Sequence, residues 1–148
     1  MLGRLTRYLR FVGLDTAYAR GLTDQEVAIW AQEEGRFLLT RDRGLAQRVP
    51  DSLLLGSGVL VDQWRAVQHR FPDLPSEVRF DRCTLCNGLL SPYRPPADRP
   101  LPPGAPAERI RAGLALYKCQ ACGHLYWEGS HTVDVRARLR AWADGSSE

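Results

Sequence analysis

Glu34-Gly-Arg-Phe-Leu-Leu-Thr-Arg-Asp-Arg43 sets a short apolar run between a glycine and a charged triplet. Residues 36–40 are too few for a helix. Their consecutive apolar side chains are the pattern of a buried strand in a parallel sheet. A helix is expected on each side. Upstream, Thr23 with Glu26 three residues later fits a capping box. Val27, Ile29, Trp30 and Ala31 then form the expected buried side, and the helix should end near Gly35. Downstream, a short helix is expected over about 42–49 and a second buried strand at 52–56. A further helix is expected over about 61–71, before Pro72. Strands separated by helices imply βαβ units and a parallel sheet, an α/β class. Sites in such sheets lie beyond the carboxyl ends of the strands, the place that Thr40 to Asp42 occupies.

Further toward the N-terminus, Leu2, Leu5, Leu9 and Val12 fall at helical spacing with Arg4, Arg7 and Arg10 between them. Gly13 suits the end of that helix, and residues 13–19 alternate weakly, as a strand would. No secretory h-region is present, and no apolar run approaches the ~20 residues that cross a bilayer, so the expectation is a cytoplasmic protein without a membrane partner. The 148 residues suffice for one ordinary domain, or for a small domain plus a metal-stapled module. The net charge of +3 is too small to argue for a nucleic acid by itself. Lys118 is the sole lysine among many arginines, a bias that a GC-rich genome explains better than phosphate recognition does.

From Val78 the texture changes. Cys83-Thr84-Leu85-Cys86 and Cys119-Gln120-Ala121-Cys122 are two C-x-x-C pairs, a spacing that in a cytosolic chain favours a metal over disulfides. Four thiolates complete a tetrahedral Zn2+ shell with no open position, so the ion should be structural. Iron in a rubredoxin-like site would use the same ligands. Asn87-Gly88 and Gly123, just after the pairs, suit turns that need positive φ. Strand-like residues flank the pairs at 78–80, 114–117 and 125–127. The Pro-rich stretch from Pro92 to Pro106 reads as an extended loop, and 133–142 as a final Arg-rich helix. His124 is read as a flanking residue and not a ligand, and His69 as structural.

By local rules alone Asp42 is the N-cap of the next helix, and Asp24 and Glu26 cap and complement the dipole of theirs. The order of several motifs adds to this. Met1-Leu-Gly-Arg-Leu-Thr-Arg-Tyr-Leu-Arg10, Gly13-Leu-Asp-Thr16, residues 34–43, the two cysteine pairs and Tyr126-Trp-Glu-Gly-Ser-His131 follow one another along nearly the whole chain. This succession resembles the Mut-seven C-terminal RNase domain family, a PIN-like nuclease domain with a C-terminal zinc ribbon.

The resemblance implies a PIN-like α/β domain at 1–77 and, at 78–148, the ribbon with its Pro-rich loop and C-terminal helix. It also implies a metal-dependent ribonuclease that hydrolyses RNA with Mg2+ or Mn2+ on clustered carboxylates. Asp42 matches the acid of the family's Thr-Arg-Asp-Arg motif, and Asp24 and Glu26 fall at its acidic helix start. A further acid found in related PIN domains is replaced here by Gly44. Arg41 and Arg43 would meet substrate phosphates, and His131 has the same functional reading beside a bland one, a helix start capped by Ser130. The family's first strand, with its Asp, precedes the Met-Leu-Gly motif. With the chain beginning at Met1, either the true start lies further upstream or this is a truncated and inactive form. The alternative is a non-catalytic RNA- or protein-binding module of the same fold.

Overall fold

A computed structural model describes residues 2–145. Met1, where the family-like stretch begins, and the last three residues of the C-terminal part lie outside the described residues. The elements in order are α1 (Gly3–Phe11), α2 (Asp24–Glu33), β1 (Leu38–Thr40), α3 (Arg43–Arg48), β2 (Ser52–Leu54), α4 (Leu60–Arg70), β3 (Leu90–Tyr93), α5 (Ala107–Arg111), β4 (Leu116–Cys119), β5 (Leu125–Tyr126) and α6 (Ser130–Ala143). β1 and β2 pair in parallel, with Leu38 opposite Ser52 and Thr40 opposite Leu54. The α3 crossover between them makes the expected βαβ unit. β3, β4 and β5 form a separate antiparallel sheet in that order. No helix among the described residues is long and apolar enough to cross a membrane.

Helical spacing puts Leu5, Leu9 and Val12 on one face of α1, and all three are buried. They meet Leu60, Trp64 and Val67 of α4 and Val135, Leu139 and Trp142 of α6 in one apolar cluster, with Leu39 and Leu53 of the parallel strands against its side. The last helix of the chain therefore closes the core that the first one opens. Tyr8 and Trp64 each pack at a tilt against Trp142 in this junction, with ring centroids 5.0 and 5.7 Å apart. Both indole N–H groups are buried without a partner among the described residues. Each such group costs about 1–3 kcal/mol, and the large apolar area of the rings offsets that cost.

Several expectations are corrected. Residues 13–19 are not a strand: the Thr16 N–H goes to Asn87 Oδ1 and its carbonyl accepts from Arg10 Nε, so side chains satisfy the backbone that a ladder would use. α2 has the capping box of Thr23 and Glu26, but only its Ala31 is buried and Ile29 is 46% exposed. A two-stranded sheet gives this helix little surface to cover. Residues 78–80 are also not a strand; Arg79 N–H donates to Phe11 O, tying this stretch to the end of α1.

The Pro-rich stretch does not begin as a loop. Pro92 and Tyr93 belong to β3, opposite Tyr117 and Leu116. β3 lies at a sheet edge, where a residue without an N–H is tolerated. A short helix, α5, follows immediately after Pro106.

Limited proteolysis should therefore cut within 94–106, which is largely exposed and outside the strand ladder, and spare 90–93. A protease of broad specificity such as proteinase K is the right probe, because Arg94 and Arg99 each precede a proline and resist trypsin. First cleavage inside α2 or α4, read by mass spectrometry, would contradict this segmentation.

Candidate metal centre and the carboxyl edge of the parallel sheet

Each C-x-x-C pair is held by a tight backbone turn. Cys83 N–H donates to Gly88 O and Asn87 N–H to Cys83 O; in the second turn Cys119 N–H donates to His124 O and Gly123 N–H to Cys119 O. Asn87 and Gly123 take the positive φ that these turns require, +70° and +80°. The four sulfurs come within 4.8 Å of one another. Cys83 Sγ lies 3.7 Å from Cys122 Sγ, and Cys86 Sγ 3.5 Å from Cys119 Sγ. These spacings are far too long for disulfides, whose S–S bond is about 2.0 Å. They approach the edge of about 3.8 Å that four Zn–S bonds of ~2.3 Å make in a tetrahedron. The donor chemistry and the spacing both fit a structural metal such as zinc.

Gly88 fits the same reading. A Cβ there would stand 2.8 Å from Cys119 Sγ and 2.9 Å from Ala121 Cβ, so only glycine lets the first turn close on the second. Cys83 and Cys119 are buried and Cys86 and Cys122 are exposed, so one side of the cluster faces the fold and the other faces solvent. At Cys119, burial opposes ionisation, but the amide N–H groups of Cys122 and Ala121 win and pull the thiol down to about 6. At Cys86, burial and the neighbouring sulfurs push the thiol up to about 12.

Outer partners join the cluster to the rest of the chain. The Tyr126 hydroxyl lies 3.0 Å from Cys83 Sγ and accepts the Thr84 N–H. Burial first, then the bond to Cys83, raises that phenol to about 12. Arg10 of α1 is buried; its Nε donates to Thr16 O and its Nη1 to Thr84 O, at 2.9 and 3.0 Å. Burial lowers the Arg10 pKa, and the nearby sulfurs Cys83 and Cys86 oppose that. The guanidinium is thus a fixed cation beside a site that thiolates would make anionic. A second link runs from Asn87 Nδ2 to Asp15 Oδ1, 2.7 Å, and from Asp15 to Arg36 Nη1, 3.1 Å. The Gly13-Leu-Asp-Thr16 stretch is thereby a dock for the first cysteine turn. Sequence reading missed this because the partners are about seventy residues apart.

The carboxyl edge of β1 and β2 is built differently. Asp42 Oδ1 accepts the Leu45 N–H at 2.9 Å, so Asp42 does cap α3. Its other oxygen has no partner among the described residues. Arg41 Nη2 reaches Gly56 O at 3.5 Å, in the loop after β2. Ser57 of that loop donates to Asp62 Oδ2 at 2.9 Å. Sequence reading passed over Asp62; its signal was an acid in the first turn of α4, after Gly-Ser-Gly. Glu26 accepts the Thr23 N–H in its capping box, and Asp24 and Arg43 are exposed.

His131 is exposed, its ring 5.5 Å from that of Phe11. Ser130 does not cap α6: the N-cap is Gly129, whose N–H donates to Thr132 Oγ1. Among the described residues, only the four cysteines form a group of three or more His, Cys, Asp or Glu side chains close enough to hold an ion. Asp24, Glu26 and Asp42 are not brought together in that way. By themselves they do not fit a hard divalent cation.

The family model of the Mut7-C RNAse domain matches residues 1–139. No curated protein and no solved structure matches the chain.

Two substitutions test the cysteine site. Cys119→Ser should lower the zinc content from one ion per chain and destabilise the last third of the chain, because metal binding and folding are linked. Elemental analysis of chelator-free wild type that finds no metal would overturn this. Gly88→Ala should lower stability by about 1–3 kcal/mol, as overpacking does. An unchanged thermal midpoint with full metal content would show that the two turns do not approach as closely as described.

Proposed function

Because the chain belongs to the Mut7-C RNAse domain family, we propose that it is a ribonuclease that hydrolyses RNA phosphodiesters. In this reading residues 1–77 are a PIN-like nuclease part and 78–148 are its zinc ribbon. The observation that carries the reading is the family match over 1–139. It is supported by the place of Asp42, past the end of β1 with one carboxylate oxygen uncommitted.

Asp42 is a proposed catalytic carboxylate, with Asp24 and Glu26 as its companions at the start of α2. Arg41, Arg43 and His131 are the proposed phosphate contacts. Arg41 already lies over Gly58 and reaches the carbonyl of Gly56, which places a cation beside Asp42 at the same sheet edge. The Zn2+ of the ribbon is closed by four sulfurs, and its part is structural. Mg2+ or Mn2+, which the family chemistry calls for, would need carboxylates beyond the three named, since these do not converge.

That last observation favours a second reading, a non-catalytic RNA-binding module of the same fold. The two separate in one experiment. Wild-type chain and Asp42→Asn are incubated with single-stranded RNA and Mn2+. Asn caps a helix about as well as Asp, so the substitution changes the charge and leaves the fold. On the nuclease reading wild type cleaves, and Asp42→Asn is slower by about 10²-fold or more. Cleavage at equal rates would remove Asp42 from the mechanism. RNA binding without cleavage would establish the module instead.

A further inference from the structure

The outer face of the ribbon carries a second feature, apart from Asp42 and bordering the second cysteine turn. Side chains alternate along a strand. In β4 the Tyr117 and Cys119 side chains share one face, and Leu116 and Lys118 the other. Tyr93 pairs with Leu116 and Ser91 with Lys118, which puts Tyr93 beside Lys118 on the face opposite Cys119. The Lys118 ammonium stands 4.9 Å from the centroid of the Tyr93 ring.

Two shallow clefts meet at Tyr93. One, of about 470 Å³, runs past Arg94, Pro95, Ile110 and Leu114. The other, of about 420 Å³, runs past Ser91, Lys118 and Gln120 along the second cysteine turn. Lys118 and Arg94 are exposed. The chain has 17 acidic residues, yet none lines either cleft. A half-buried aromatic ring shared by the two clefts, with Lys118 over it, Arg94 along the first cleft and no carboxylate, is complementary to a base and its neighbouring phosphates.

We propose that this face binds a short single-stranded segment of RNA, with a base on Tyr93 and the flanking phosphates on Lys118 and Arg94. The inference rests on the RNA-directed reading above and adds to it a subsite on the ribbon, away from the sheet edge that bears Asp42. The ribbon then holds the substrate strand as well as bracing the fold.

The test uses the full metal-loaded chain and a fluorescein-labelled oligouridylate of about twelve nucleotides, within the usual reach of such surfaces. Anisotropy is read without Mg2+ or Mn2+. Tyr93→Leu should weaken binding about tenfold, whereas Tyr93→Phe, which keeps the ring, should stay within about twofold of wild type. Lys118→Gln should lower the slope of log affinity against log salt by about 0.7, the value for one phosphate of a single strand. Metal content, measured on each protein, should not change.

Lys118 is the sole lysine, so acetylation read by mass spectrometry on the peptide that carries it reports on that side chain, and the oligonucleotide should protect it. This arm needs only wild type and stands even if Tyr93→Leu does not fold. Equal binding by wild type, Tyr93→Leu and Lys118→Gln, with Lys118 equally reactive throughout, would overturn the subsite and leave the RNA reading intact. No binding of the oligouridylate by wild type would overturn both. A polyglutamate peptide that displaces the RNA and protects Lys118 equally well would assign the face to an acidic protein and overturn the proposal.

Discussion

Four sulfurs within 4.8 Å of one another is the constraint from which the second half of the chain follows. Without an ion such crowding is unfavourable, because thiolates repel and thiols make only weak hydrogen bonds. With an ion it becomes the organising point of two turns and a three-stranded sheet whose strands are two to four residues long. Sheets that short bury little apolar area, and a structural metal is the usual compensation. The glycine at 88 and the positive φ at Asn87 are the backbone consequences of bringing the turns together.

The same cluster is tied into the helical core. Arg10 brings a buried cation from α1 to the Thr84 carbonyl, and Tyr126 brings a hydroxyl from β5 to the Cys83 sulfur. Beyond the ribbon, α6 returns to α1 and α4 and supplies Val135, Leu139 and Trp142 to their cluster. The ribbon is therefore anchored on both of its chain connections. Loss of the metal would be felt at α1 through Arg10 as well as in the cysteine turns. The carboxyl edge of the parallel sheet has no such anchor. It is held by helix caps and by single side-chain bonds such as Arg41 to Gly56.

Where a residue's role depends on near neighbours, it could be read in advance. The Thr23–Glu26 capping box, the Asp42 cap and the turn residues after each cysteine pair all rest on partners within a few residues. The apolar stripe of α1 was legible because helical spacing alone fixes which side chains share a face. The strand expected at 13–19 failed for the opposite reason. Its alternation was real, but Asn87 and Arg10 hold its backbone, and one of these lies far along the chain. Pro92 hid the strand β3, since proline counts against a strand unless the edge position is known.

The sequence by itself determined that the four cysteines act together and that the chain alternates helices with a short parallel sheet, because both follow from local spacing and periodicity. Family membership was likewise legible in the order of short motifs. Only the tertiary structure decided that α6 completes the core of α1, that Asp15 and Arg10 dock the N-terminal segment onto the first cysteine turn, and that Tyr93 meets Lys118 on the outer face of the ribbon. It alone decided that Asp24, Glu26 and Asp42 stand apart. Convergence of side chains from separate elements depends on how those elements pack, and no local rule of spacing carries that information.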